Sequence, residues 1–242
     1  MNKVAKLLPV LGLVLFGSFQ VRAATEVDAA LDLLRLPSEN RRMVLQQTIA
    51  NDVFKQLTTV AFDEKQSMRL RWKALVSLAE SDPKKALPHL LRASENSEWY
   101  MRNAALVALS DTQPLKAEAV AKKLLKDKAL VVRSAAVEVL KKFPSEQNRD
   151  LLWSELDEDY NFKKQASLWI RPQILKLLSE KPMDRELKIF VRMLRDRDTQ
   201  VGVAAIHGLQ KLTGTSLGTA GMPAEKQISL WQNYVKTEKL AL

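Results

Sequence analysis

Residues 101–109 read Met-Arg-Asn-Ala-Ala-Leu-Val-Ala-Leu, and this nine-residue pattern occurs five times along the chain. The other copies begin at Leu70, Val132, Ile170 and Val201. The second residue of each copy lies at position 71, 102, 133, 171 or 202, so the copies are spaced by 31, 31, 38 and 31 residues. A nearly constant period of roughly 20 to 50 residues is typical of a stacked array of helical units.

The apolar residues within each copy predict an amphipathic helix. When the second residue is taken as position 0, positions −1, +3, +4 and +7 are apolar in every copy, as in a helix with one buried face. Alanine is common at positions +2 and +3, and such small side chains allow neighbouring helices to approach closely. A shorter amphipathic segment precedes the later copies, and Pro, Asp, Ser and Asn cluster at the breaks. The chain therefore reads as helix-turn-helix units, and no alternating strand pattern competes with them.

These patterns divide the chain into four parts. Residues 1–23 form a leader, and residues 24–63 form an N-terminal helical cap or degenerate repeat, with helices expected over 27–36 and 41–60. The repeats occupy residues 64–212. Residues 213–242 contain a glycine-rich loop and a C-terminal capping helix that begins at Pro223, a favoured first helical residue.

The pattern apolar-Arg-x-x-Ala-apolar-x-x-Leu, on paired helices, resembles HEAT repeats in the short bacterial form known from phycobilin-lyase-type proteins. The resemblance implies an all-α fold, a right-handed α-solenoid of antiparallel helix pairs like HEAT and armadillo superhelices, with the second helix of each pair on the concave surface. It also implies a ladder between repeats, in which an Asp six residues before the Arg takes part. Asp127 and Arg133 keep this pair, whereas Gly202 stands where the last copy would carry its arginine. The structural repeat positions are Arg71, Arg102, Asp127, Arg133 and Arg171.

The first 23 residues have the features of an export signal. Lys3 and Lys6 provide a basic start, an apolar run of about 13 residues follows, and Val21-Arg22-Ala23 is a site for cleavage after Ala23. The run is shorter than the roughly 20 residues that a membrane-spanning helix needs. We therefore expect a periplasmic or secreted protein with no transmembrane span in the mature chain. A retained N-terminal anchor is the alternative.

The composition limits the chemistry and the partners. The absence of cysteine excludes disulfides, thiolate metal sites and a lipidated N-terminal cysteine. The net charge is +10, and removal of the three basic residues of the leader leaves +7. Six lysines form a basic patch that is either a solvated helix face or a site for an anionic polymer or membrane surface: Lys116, Lys122, Lys123, Lys126, Lys128 and Lys142.

No motif in the sequence predicts catalysis. His89 and His207 lie on different repeats, and no glycine-rich phosphate loop occurs. The acidic run around Asp157 reads as a helix-ending turn, with a weak cation site as the alternative. We expect no catalytic residues, no metal, no cofactor and, because the protein is exported, no nucleic-acid partner. An accessory enzyme of the lyase type on a HEAT scaffold is the alternative that the resemblance leaves open.

The remaining functional prediction concerns the concave face. Positions +1, +5 and +8 point away from the buried face, and they are apolar towards the N-terminus and polar or basic towards the C-terminus. The predicted partner-binding residues are Trp72, Val76, Tyr100, Asn103, Val107, Glu138, Lys141 and Lys176. This division suits a protein or peptide segment with an apolar end and an acidic end, bound by a non-catalytic scaffold. The alternative is that Trp72, Val76 and Val107 only cover the neighbouring repeats. Trp99 and Trp153 fall on buried faces and are expected in the core, and Trp169 fits either environment.

Overall fold

The computed structural model describes residues 28–47, 51–219, 221–238 and 240, so the predicted export signal lies outside the described residues. Within them the chain is almost entirely α-helical, which confirms the predicted all-α class. The described part of the chain contains thirteen α-helices: α1 (Asp28–Arg35), α2 (Ser38–Gln47), α3 (Asn51–Phe62), α4 (Met68–Ser81), α5 (Pro83–Ser94), α6 (Trp99–Thr112), α7 (Pro114–Leu124), α8 (Leu130–Lys141), α9 (Glu146–Leu156), α10 (Ile170–Glu180), α11 (Leu187–Met193), α12 (Thr199–Thr213) and α13 (Ala224–Thr237).

Helix ends coincide with the polar breaks in the sequence. The Ser67 side chain accepts a hydrogen bond from the backbone N–H of Leu70 at the start of α4. Asp82 caps α5 in the same way, with Pro83 as the first helical residue. At the other end of α12, Gly214 adopts a left-handed conformation (φ 68°), which glycine accepts without steric cost. Local capping chemistry thus sets the helix lengths.

The helices pack as consecutive pairs. Five pairs are formed by α3 with α4, α5 with α6, α7 with α8, α9 with α10, and α11 with α12. The second helices of these pairs also pack on one another in chain order, from α4 through α6, α8 and α10 to α12, and α13 packs on α12. The buried face predicted from the repeat lies between them: at position +4, Leu75, Leu106, Val137, Leu175 and Ile206 are all at most 2% exposed.

A short β-hairpin was not predicted from the sequence. Phe162–Lys163 pairs antiparallel with Ala166–Ser167, and the turn residues Lys164 and Gln165 have left-handed backbone angles (φ 49° and 65°). The hairpin falls within the one repeat interval of 38 residues and accounts for its additional length. Strands of two residues are too short to show an alternating pattern, which explains why the sequence does not reveal them.

The C-terminal helix covers the last repeat, as the sequence predicts. Trp231 is fully buried, and Val235 is 8% exposed. A Cβ atom at Gly202 on α12 would lie 2.6 Å from Cδ1 of Ile228 on α13. Glycine replaces the repeat arginine here because α13 packs directly against this point. Within the described residues, none of the helices has the length and apolar character needed to span a membrane.

Candidate binding groove

A row of buried arginines joins neighbouring helix pairs. Nε and Nη2 of Arg102 donate hydrogen bonds of 2.5 and 2.7 Å to the two carboxylate oxygens of Asp127, and Nη1 donates to the carbonyls of Asn96 and Ser97. Burial raises the pKa of Asp127, but the hydrogen bonds and the charge of Arg102 outweigh it and leave that pKa below its ordinary value. The carboxylate of Asp127 therefore pairs with the preceding repeat, whereas the sequence had suggested a pair with Arg133.

Arg133 has other hydrogen-bond partners, because the next repeat has no acidic residue at the position that corresponds to Asp127. Its Nη1 donates to the backbone carbonyl of Asp127 at 2.7 Å, and its Nε donates to Oδ1 of Asn161 at 3.0 Å. Its Nη2 donates to the carbonyl of Tyr160. Gln165, which occupies the acidic position in the sequence pattern, is instead exposed in the hairpin turn. The hairpin thus brings substitute acceptors to a buried arginine.

The other two arginines of the row, Arg171 and Arg71, also donate hydrogen bonds to the following repeat. Arg171 donates to Asp196 of the following repeat at 2.6 Å and to Asp157 at 2.9 Å. Arg71 donates to the hydroxyl of Tyr100 at 2.7 Å. Tyr100 is only 9% exposed, so it supports the arginine row and is not available on the surface that the sequence predicted.

The predicted partner-binding residues of the N-terminal half are partly exposed. Trp72 and Val76 on α4 are half-buried and pack against the core, and Asn103 and Val107 on α6 are also half-buried. At these positions the side chains can both cover the core and contact a partner. The structure places the four residues on two helices that are in contact.

A groove of about 690 Å³ lies where α8, α10 and α12 meet. Positions +1 and +5 supply Pro172 and Lys176 from α10 and Val203 and His207 from α12, while α8 supplies Glu138 at +5. The remaining lining residues are Lys141, Trp169, Gln173, Leu177, Ser179, Glu180, Gln200 and Ala204. Three of the predicted residues, Glu138, Lys141 and Lys176, therefore come together. Pro172, Val203 and His207 join them, and these three residues occupy the +1 and +5 positions that the sequence assigns to the concave face.

Polar contacts hold the sides of this groove. Lys141 forms an ion pair with Glu180 at 2.9 Å, which raises the pKa of that lysine, and Gln173 donates to Glu138 at 2.7 Å. Nδ1 of His207 lies 3.1 Å from the hydroxyl of Ser179. Burial, followed by the charge of nearby Lys211, lowers the pKa of His207, so the imidazole is neutral at pH 7.

Trp169 lines the groove and is also largely exposed to solvent. It precedes α10 and remains 52% exposed, which assigns it to the surface. Trp99, expected in the core, is 41% exposed at the first residue of α6, where its ring packs edge-on against Tyr100. Trp153 is half-buried, and its indole N–H donates to Glu186 at 2.8 Å.

The six lysines of the predicted basic patch do not form one surface. Lys126 and Lys128 follow α7, while Lys142 follows α8 at the opposite end of that helix pair, on the order of 18 Å away along the helix axis. Lys122 pairs with Glu118 at 2.9 Å. Lys142 donates to Ser110. Lys116 and Lys123 are exposed on α7.

The acidic run at the end of α9 is structural in large part. Glu155 is 1% exposed, accepts a hydrogen bond from Tyr160 and pairs with Lys126 at 3.4 Å, while Asp157 pairs with Arg171. Burial and the hydrogen bond to Glu155 raise the pKa of Tyr160. The described residues contain no group of three His, Asp or Glu side chains placed to hold a metal ion.

A second cavity, of about 1220 Å³, lies between the hairpin and the segment that precedes α12. Lys164, Arg195, Arg197 and Asp159 line it, with Phe162 stacked 4.3 Å from the guanidinium carbon of Arg171. Nothing in the sequence predicted this cavity, because the hairpin that forms one of its walls has strands of only two residues.

A search for known relatives identified no protein family whose model matches the chain, and none of the curated proteins matches it.

Proposed function

We propose that the protein is a non-catalytic HEAT-repeat scaffold or adaptor that binds a segment of a partner protein in the groove of α8, α10 and α12. The observation that carries this proposal is that the same positions, +1 and +5, of successive repeats converge on one groove. Function in repeat arrays commonly resides on such a surface, because neighbouring units present equivalent positions side by side.

The packing of the helices supports a right-handed α-solenoid of antiparallel helix pairs. The second helices pack on one another in chain order. Short loops join the helices of four of the five pairs, and residues 157–169, which include the β-hairpin, join α9 to α10. The ion pairs from Arg102 to Asp127 and from Arg171 to Asp196 each join one repeat to the next, as the HEAT resemblance implies. Buried, bidentate arginine contacts also define the relative position of adjacent repeats.

The chemistry of the groove suits a polypeptide. Trp169, Pro172 and Val203 provide apolar surface, and Lys176 is an exposed charge beside them. Three packed helices span about 20 Å, enough to hold roughly 13 residues of a helical segment. The other charged side chains of the groove already have partners: Lys141 pairs with Glu180, and Glu138 accepts a hydrogen bond from Gln173. This arrangement favours binding over acid–base chemistry.

Site-specific photo-crosslinking in cells tests this proposal. A photoreactive residue at Lys176, in the groove, is compared with one at Lys123, which is also exposed but lies on α7. We expect a discrete protein adduct at position 176 and none at position 123. The adduct should disappear in the variants Val203→Glu and Gln200→Glu, with folding checked by circular dichroism. Equal adducts at both positions would contradict a groove-specific partner.

The salt dependence of binding distinguishes a partner bound in the groove from one bound by the six lysines. Binding to an anionic polymer or membrane through the six lysines should weaken steeply as the ionic strength rises, since exposed charges are screened over about 8 Å at physiological salt. Binding through apolar contacts in the groove should not weaken with ionic strength.

We also propose that the protein is exported, on the basis of residues 1–23. N-terminal sequencing should find a mature chain that starts at Ala24, and an intact Met1 would contradict cleavage.

A further inference from the structure

A small cavity lies between the turn that joins α8 to α9 and the end of α10. Its volume is about 150 Å³. The buried residues that line it are three leucines and one asparagine: Leu140, Asn148, Leu152 and Leu178. Exposed residues such as Pro144 and Lys181 form its rim. The inner wall of the cavity is therefore apolar except for one side chain.

Asn148 contributes a hydrogen-bond acceptor that has no partner. The side chain is 2% exposed, and its Nδ2 donates to Oε1 of Glu118 at 3.0 Å and to the carbonyl of Phe143 at 2.7 Å. Both amide hydrogens are thus used, which determines the orientation of the amide group. Its Oδ1 has no hydrogen-bond partner among the described residues. A buried acceptor without a partner is costly, so a ligand that supplies a donor is favoured here.

The volume and the acceptor together indicate the chemistry of the ligand. An apolar cavity of roughly 150 Å³ holds one benzene ring. Ligand sites in proteins are mostly apolar and contain a few polar groups that determine orientation. A single ring with one hydrogen-bond donor is a phenol, and the phenol among amino-acid side chains is tyrosine. A phenylalanine ring would leave Oδ1 of Asn148 unsatisfied, and the two-ring indole of tryptophan is larger than the cavity.

The cavity adjoins the groove of α8, α10 and α12, because Lys141, Leu177 and Glu180 line both. We infer that a tyrosine of the partner segment in the groove inserts its ring into the cavity and donates its hydroxyl hydrogen to Oδ1 of Asn148. This inference rests on the proposed function, since it names a residue of the proposed partner. Aromatic side chains that fill a pocket commonly supply a large share of the binding energy of an interface.

Titration with p-cresol, which is the tyrosine side chain without its backbone, tests the cavity by NMR on the isotope-labelled protein. We expect the amide signals of the cavity residues to shift and saturate. Para-fluorotoluene has nearly the same size but no donor, and it should bind about 2- to 10-fold more weakly. Leu177→Phe, which adds volume at the cavity, should weaken p-cresol binding by about 10-fold. Leu115→Phe is the matched control, because Leu115 is 78% exposed on α7. Thermal unfolding verifies that both variants are folded.

Photo-crosslinking at position 176 separates this inference from the proposed function. An excess of p-cresol should reduce the adduct at that position, because it occupies the place of the partner's tyrosine. An adduct that p-cresol leaves unchanged would overturn the tyrosine assignment while the groove still binds a partner. No binding of p-cresol, equal binding of para-fluorotoluene, or undiminished binding to Leu177→Phe would also overturn the inference. The absence of any adduct at position 176 would overturn both proposals.

Discussion

Removal of the Asp127 carboxylate should destabilise the protein strongly, because it would leave the Arg102 guanidinium without its counterion. The two side chains are 5% and 7% exposed and make two hydrogen bonds of 2.5 and 2.7 Å. Asp127 also accepts a hydrogen bond from the backbone N–H of Ala129 at the start of α8. The substitution Asp127→Ala thus removes an ion pair between repeats and a contact that positions the next helix.

The magnitude follows from the burial of the pair. Breaking a buried ion pair by removing one partner costs roughly 3–5 kcal/mol. For a chain of this size, each kcal/mol lowers Tm by about 2–4 °C, so we expect a decrease of at least about 6 °C. The control is Glu180→Ala, which removes the partner of Lys141 from a pair that is 40–49% exposed. An exposed pair contributes about 1 kcal/mol or less.

Thermal and urea unfolding, followed by far-ultraviolet circular dichroism, provide the measurement. The double variant Arg102→Met/Asp127→Leu should be more stable than Asp127→Ala, because neither buried charge is then left unpaired. A loss below about 1 kcal/mol for Asp127→Ala, or a double variant that is no better, would refute the reasoning. In the first case the guanidinium must reach water or another acceptor.

Three further predictions follow from the same structure. Gly208→Ala should cost about 1–3 kcal/mol in urea unfolding, since a Cβ would lie 2.6–2.8 Å from three ring atoms of fully buried Phe190; unchanged stability would show that the ring moves freely. Trp231→Ala should cost about 3–5 kcal/mol and expose α13 to limited proteolysis; a variant with wild-type Tm would argue against its role in the core. Burial alone would raise the pKa of Asp196 and of Glu186, but their hydrogen bonds and arginine partners lower both. The folded state therefore binds fewer protons than the unfolded state, and this stabilisation is present above about pH 4 and lost as pH falls below it. A Tm that does not decrease between pH 5 and pH 3 would contradict this assignment.

The repeating pattern predicted the helices well because it depends on local geometry. A buried face needs apolar side chains at three- and four-residue spacing, and this requirement is visible in every copy. The break predicted at residues 81–83 coincides with the cap that Asp82 forms on α5. The same reasoning placed Trp99 in the core incorrectly. Periodicity identifies the face of a helix on which a residue lies, but it does not show how far along that face the neighbouring helices extend.

The candidate site was predicted only in part. Lys141 and Lys176 were assigned to a common surface from their repeat positions, and both line the groove. Tyr100 was assigned to that surface as well, but its hydroxyl accepts a hydrogen bond from Arg71 in the buried row. The predicted lysine patch divides between the two ends of the α7–α8 pair, because the length of α8 separates Lys142 from Lys126 and Lys128.

The amino-acid sequence is sufficient to predict paired helices with one apolar face each, because a helix places residues that are three or four apart on the same face. The pairing of Asp127 with Arg102, 25 residues away, and the meeting of Pro172 and Val203 in one groove become visible only in the folded chain. These contacts depend on the distance and rotation between packed helices. Side-chain volume at every interface sets that geometry, and no local pattern specifies it.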